Sequence, residues 1–273
     1  MNKQKKPITK LIMLMALSLA MITGGCKKDN PDPPTPARTV TYNLMVKDVL
    51  GVSGTVMFTE TSSTLTTIHI VLTGAPTGIH PAELCMNSAV EGGPVVIALN
   101  SVDESGKSST SVTAMTYSQL IVYDGFIKVL KSTIEPNVIL AQGDIGGNVI
   151  TATNITYSLD TVGVYGVSGT ALFQKRVNGN TLVTITLTGT IAGDTYPATI
   201  NLGSIASIGG GPVVKVLNNV DGTNGKSYTN IKNLDSGIDI TYDNWLVYDG
   251  YINIYKMSID YGNIICHGNI GSN

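Results

Sequence analysis

Charged side chains are scarce in this 273-residue chain, at 13% of residues, and it holds only three histidines, three cysteines and one tryptophan. Each shortage narrows the field. Three histidines leave little for redox catalysis at a copper held by several imidazoles. No Gly-x-Ser-x-Gly elbow, Walker-type loop or histidine pair at helical spacing occurs. That excludes the signatures of nucleophile-elbow hydrolases, P-loop nucleotide enzymes and helical zinc proteases, so no enzyme activity is expected. The acids are scattered, and Asp124 and Asp249 sit in Tyr-Asp-Gly turns where a carboxylate commonly bonds local backbone N–H groups. The one long apolar run, Leu11 to Ile22, is short for a bilayer span.

What the chain has in abundance is glycine, 30 residues, together with Thr, Ser, Val and Ile, the composition of strands separated by tight turns. It is also written twice. TYNLMVKDVLGVSGTVMF, Thr41 to Phe58, is answered by TYSLDTVGVYGVSGTALF, Thr156 to Phe173. LTG returns at Leu72 and Leu187, GGPVV at Gly92 and Gly210, VYDG at Val122 and Val247, and GDIG at Gly143 as GNIG at Gly268. The offset grows from 115 to 125 residues, so insertions fall in loops while the skeleton repeats. Two domains are expected, 39–148 and 154–273, joined by a short linker at Gly147 to Thr153.

The N-terminus carries Lys3, Lys5, Lys6 and Lys10, then the apolar stretch, then Thr23-Gly24-Gly25 before Cys26. This order matches a lipoprotein signal over 1–25, with Cys26 as the acylated residue. Lys27-Lys28-Asp29 follows, similar to the export signal of surface lipoproteins in the Bacteroidetes, and then a run with four prolines between Pro31 and Pro36. Residues 26–38 therefore read as a lipidated, semi-rigid tether. The expected location is the outer membrane, lipid-anchored and facing the cell surface, with the periplasmic face as the alternative. Without the four lysines of the signal, 13 basic side chains face 19 acidic ones, a net of −6. Such a surface repels phosphate backbones, so no nucleic-acid partner is expected.

Periodicity within each repeat is two. Ile68, Ile70 and Leu72 alternate with Thr67, His69, Val71 and Thr73, and Val183, Ile185 and Leu187 alternate with Thr184, Thr186 and Thr188. This places His69 on the solvent-leaning face. Further strands are expected near Val40 to Val46, Val52 to Phe58, Val95 to Leu99, Phe126 to Lys131 and Val138 to Ile145, with equivalents in the second repeat. The fold class is all-β, two tandem antiparallel sandwiches. One helical turn is expected at Thr116 to Leu120 and at Ile240 to Leu246, with Trp245 as a packing plug. Asp103 to Gly106 and Asp221 to Gly225 lack the spaced acids of a calcium loop and read as hairpin turns. Cys85 and Cys266 are left for an inter-domain bridge or for two free thiols, each buried or weakly exposed.

The stretches His80-Pro81-Ala82-Glu83-Leu84-Cys85, Glu91-Gly92-Gly93-Pro94, Tyr123-Asp124-Gly125-Phe126-Ile127-Lys128-Val129-Leu130 and Gly143-Asp144-Ile145-Gly146 follow one another in fixed order. Tyr196 to Asn201, Asp249 to Tyr255 and Gly268 to Gly271 repeat them. Over nearly the whole mature chain this resembles the chordin-type (CHRD) domain of bacterial secreted proteins and lipoproteins. The resemblance implies a Greek-key-type sandwich related to copper-zinc superoxide dismutase and a histidine-rich metal motif. Carried over by position, that motif reads His80, Glu83, Cys85 and Leu130 in the first repeat, and Tyr196, Thr199, Asn201 and Tyr255 in the second. His80, Glu83 and Cys85 are remnant ligand candidates for copper or zinc, although leucine cannot coordinate and no bound metal or other cofactor is expected. His267 stands where the first repeat has Gln142 and reads as a strand-edge side chain. The implied role is a non-catalytic module binding protein or glycan, with Tyr196, Tyr251, Tyr255 and Trp245 as aromatic candidates for a sugar. A metal-binding exported protein using the remnant in the first repeat is the alternative.

Overall fold

Backbone alternation dominates the molecule, as the period-two pattern requires. The computed structural model describes residues 37–208, 210–257 and 262–273; the expected signal peptide, Cys26 and the tether up to residue 36 lie outside them. The first repeat contains β1 (Thr39–Val46), β2 (Ser53–Ser62), β3 (Leu65–Thr73), β4 (His80–Met86), β5 (Val95–Val102), β6 (Lys107–Val112), the helical turn α1 (Tyr117–Leu120), β7 (Gly125–Leu130) and β8 (Ile139–Ile145). The second contains β9 (Ile150–Thr161), β10 (Ser168–Arg176), β11 (Thr181–Thr188), β12 (Thr195–Leu202), β13 (Val213–Asp221), β14 (Lys226–Ile231), α2 (Tyr242–Trp245), β15 (Asp249–Tyr255) and β16 (Ile264–Gly271). All named strand pairs are antiparallel.

The two repeats share one strand order. The first is an eight-stranded sheet, β5-β4-β7-β8-β1-β2-β3-β6. The second runs through the equivalent strands in the same circular order and closes into a barrel. The closing pair is Asp221 with Lys226, between β13 and β14. Between β5 and β6, as beyond the β13/β14 pair, the same side chains stitch the strands. Asn100 and Asn218 donate their amides to Ser109 O and Tyr228 O, while their backbone N–H groups donate to Thr110 Oγ1 (2.8 Å) and Thr229 Oγ1 (2.9 Å).

Each repeat has its own core. Leu44, Phe58, Ile68, Ile70, Leu84, Ile127 and Leu140 belong to one cluster, and Leu159, Phe173, Ile185, Ile200, Ile252 and Ile270 to the other. Burying each such side chain contributes about 1.5–3 kcal/mol. In β3, Ile68, Ile70 and Leu72 are buried while His69 is only partly covered, as the alternation requires. β12 and β15 depart from it: Tyr196 to Asn201 and Gly250 to Tyr255 are buried on both faces.

Turn chemistry holds the corners. Thr116 and Thr241 accept from the N–H groups of Gln119 and Asn244, whose side chains bond back, so both helical turns begin in capping boxes. Asp103 Oδ1 accepts from the Ser105 N–H (2.8 Å) and hydroxyl (2.6 Å), a hairpin turn whose hydrogen bonds hold its carboxyl below the usual aspartate value. The repeated Gly143 and Gly268 allow β8 to lie against β1 and β16 against β9: a Cβ on either would run into the carbonyl oxygen of Asn43 or Ser158.

The stretch expected as a linker is structured. Gly146–Asn148 forms a 3-10 turn and β9 begins at Ile150, and Ala37–Asn273 forms one compact unit.

Candidate functional site

The remnant ligands of the first repeat lie on one strand but are engaged separately. His80 is 2% exposed. Its Nδ1 faces Lys131 O at 2.6 Å and its Nε2 faces Pro76 O at 2.8 Å. Both ring nitrogens are thus turned toward backbone carbonyls in the interior and away from Glu83 and Cys85 as partners. Glu83 pairs with Lys128 across the β4/β7 ladder at 3.0 Å. Cys85 is a fully buried free thiol, and burial pushes its pKa up, opposed by the charge of Lys128 and aided by that of Glu83. Cys266 is also buried and free, its pKa pushed up to about 12 by burial. Among the described residues no group of three or more His, Cys, Asp or Glu could hold a metal ion. The donor set implied by the chordin resemblance therefore does not fit a metal in this chain.

At the equivalent place in the second repeat the ion pair is replaced by a neutral network. Thr199 Oγ1 donates to Asn201 Oδ1 (2.7 Å) and lies 3.1 Å from Tyr255 Oη, and the Asn201 amide donates to Gly211 O (2.9 Å). The four aromatics considered as a sugar platform are all interior, between 0% and 4% exposed. Trp245 packs against Phe173 and Tyr248 with ring centroids 6.0 and 4.8 Å away. Tyr196 and Tyr251 accept from the N–H groups of Ile191 and Gly211. They are structural members, and an exposed aromatic platform built from them is ruled out.

A second candidate site lies where the repeats meet. Arg176, at the end of β10 and fully buried, donates Nη1 to Asn148 O and to Asp144 Oδ2 at 3.2 Å. Asp144 Oδ1 in turn accepts from the Ala89 N–H at 2.7 Å. Burial raises the Asp144 carboxyl above its ordinary value, and the Ala89 and Arg176 contacts offset this only in part. Beside this pair, Asp124 accepts from the Asn178 amide (2.6 Å) and Glu91 accepts from the Asn230 backbone N–H (2.8 Å). The Tyr-Asp-Gly carboxylates thus hold side chains far away in sequence, not local N–H groups: Asp124 holds Asn178, and Asp249 accepts from the Asn273 amide at 3.0 Å.

These contacts frame a cleft of about 510 Å³. Met86, Asn87, Glu91, Gly92, Tyr123 and Asp124 line it from the first repeat, and Asn218, Asn230, Lys232 and Asn233 from the second. Asn87 is the only non-glycine residue with positive φ (65°) among the described residues. Its carbonyl accepts from the Asn148 amide (2.6 Å), and its own amide donates to Gly92 O (3.2 Å). That fixes the loop forming one wall. Burial first, and the Asp124 charge second, raise the Tyr123 phenol above its usual value, so it stays protonated at physiological pH. Asn230 Oδ1 is buried with no hydrogen-bond partner among the described residues.

Periodicity and motif could not find this cleft, because its walls come from different repeats. The available signals are departures from the repeat. Asp144 stands where the second copy has Asn269, which performs the same loop-holding bond to the Ile205 N–H (2.9 Å) as a neutral amide. Arg176 stands where the first copy has Thr61, and it is one of only two arginines in the chain. No protein-family model matches this chain, and no curated protein or solved structure matches it significantly.

Proposed function

We propose that this chain is a non-catalytic exported binding protein, anchored in the outer membrane through acylated Cys26 and displayed at the cell surface. On this reading each repeat is a Greek-key-type unit of the chordin kind, and the two together form a binding module for a glycan or protein ligand. The observation that carries the binding role is the cleft between the repeats, lined by both and backed by a buried Arg176–Asp144 pair. Sites for small ligands favour such boundaries between folded units. Its lining offers amides, carboxylates and one lysine without a nucleophile–base pair, which supports binding over chemistry. The lysine-rich start, the apolar stretch and Thr23-Gly24-Gly25-Cys26 support the anchor.

Three measurements test the proposal. Alkyne-palmitate labelling of the full chain in a bacterial host is expected to mark wild type and to disappear, with membrane association, in Cys26→Ser. Protease treatment of intact cells is expected to remove the protein, and protection until lysis would move it to the periplasmic face. Binding is tested with Lys232→Trp, which fills the cleft from an exposed position. Ligand capture that ignores this substitution would place binding elsewhere.

A further inference from the structure

The inter-repeat cleft carries enough chemistry to name its ligand. We infer that it binds a neutral, polyhydroxylated ligand, a short oligosaccharide, through the side chains of Asn230, Asn233, Tyr123 and Asp124. This rests on the cleft being the binding site proposed above.

The open hydrogen-bonding groups are mostly ones that suit hydroxyls. Asn230 Oδ1 has no partner although the Asn230 backbone is pinned by Glu91, so an acceptor is held in place with nothing donating to it. Asp124 uses Oδ1 on Asn178 and has its second oxygen left. Tyr123 Oη and the Asn233 amide make no hydrogen bond with other described residues. A hydroxyl both donates and accepts, as do an amide and a phenol, so a polyol can serve all four groups at once.

Other ligand classes fit less well. Two carboxylates face a single ammonium, Lys232, which disfavours phosphate, sulfate and other anions. An apolar ligand would desolvate the amides without replacing their hydrogen bonds. A peptide adding to a strand needs free backbone groups, and those beside the cleft are taken: the Asn218 and Val216 N–H groups donate to Thr229 Oγ1 and Asp235 Oδ2, and Tyr228 O accepts from the Asn218 amide. The volume of about 510 Å³ lies within the roughly 300–1,000 Å³ of small-ligand sites. Met86 and the Tyr123 ring supply apolar surface for sugar C–H groups.

The test is calorimetric titration of the full chain, in a detergent without a sugar headgroup, with neutral trisaccharides (chitotriose, mannotriose, xylotriose) and, in parallel, a random hexapeptide pool. At least one trisaccharide is expected to bind, with affinity reduced about tenfold by Asn230→Ala and severalfold by Tyr123→Phe, and unchanged by His69→Ala. Both variants delete groups without internal partners, and thermal melts verify that they fold. Trisaccharide binding indifferent to Asn230→Ala and Tyr123→Phe overturns the inference. Peptide binding that is lost in Lys232→Trp, with no trisaccharide binding, overturns the sugar assignment and leaves the cleft as the site. Failure of both probe sets overturns the inference and the binding role together.

Discussion

Replacing Arg176 by methionine leaves the Asp144 carboxylate facing a desolvated junction with only the Ala89 N–H for company. Removing one partner of a buried ion pair costs about 3–5 kcal/mol. The Asp144 side chain retains 15% exposure, and water at that edge brings the expected cost down to about 2–3 kcal/mol. Asp144→Asn alone strands the guanidinium, whose Nε and Nη2 already lack partners among the described residues, and is expected to cost a similar amount. The double variant should recover to within about 1 kcal/mol of wild type. An asparagine at 144 keeps the loop bond that Asn269 makes in the second repeat, and a packed methionine replaces a poorly satisfied charge. Urea unfolding of the full chain, followed by far-UV circular dichroism and by fluorescence of Trp245, gives the cycle. Trp245 reports the second repeat alone, so a weakened junction should also separate the two transitions. The sign with pH is set by the raised Asp144 value. The folded state holds the proton more tightly, so this group's contribution makes stability fall as pH rises from the ordinary aspartate pKa through the raised one. Asp144→Asn removes that slope. An Arg176→Met variant within 0.5 kcal/mol of wild type, or a double variant no better than the singles, would refute the reasoning.

Further outcomes follow from individual contacts. Gly268→Ala drives a Cβ into Ser158 O and within 3.1 Å of a Leu159 methyl, and should lower stability by about 1–3 kcal/mol in chemical denaturation. His80→Ala empties a buried ring position between the Lys131 and Pro76 carbonyls and should cost about 2–4 kcal/mol. Elemental analysis should find the same metal content in that variant as in wild type, and a metal equivalent lost with His80 would contradict its structural assignment. In the native protein Cys85 and Cys266 should not react with a thiol reagent, because both are buried with raised pKa values. After denaturation two thiols per chain should titrate if Cys26 is acylated, and three if it is not.

Local pattern carried much of the fold. Alternation in β3 and β11 marks the faces that bury Ile68, Ile70, Val183 and Ile185, and the doubled Thr-Tyr stretches mark both helical turns. Alternation reports whether one sheet face meets a core, and it says nothing about a second covering. Tyr196, Tyr251 and Tyr255 therefore read as exposed candidates when β12 and β15 are covered on both sides. Histidine identity likewise suggested a ligand at position 80, where two backbone carbonyls decide its role instead. The cleft was hidden for a different reason. Its walls are far apart in sequence, and nothing in Asn230 or Asp124 alone distinguishes a cleft from a turn. Comparing the copies with each other is more telling: Asp144 against Asn269 and Arg176 against Thr61 are changes that have a use only where one repeat touches the next.

The shared strand order has a consequence for how such a pocket can originate. A single unit of this fold supplies only one wall of a cleft like this one. Placing a second copy behind the first creates one at once, before any lining residue is chosen. Divergence then only has to fasten the joint and decorate the gap. By the same rule an array of n units would carry n − 1 pockets, each free to drift toward its own ligand while the strands around it stay the same.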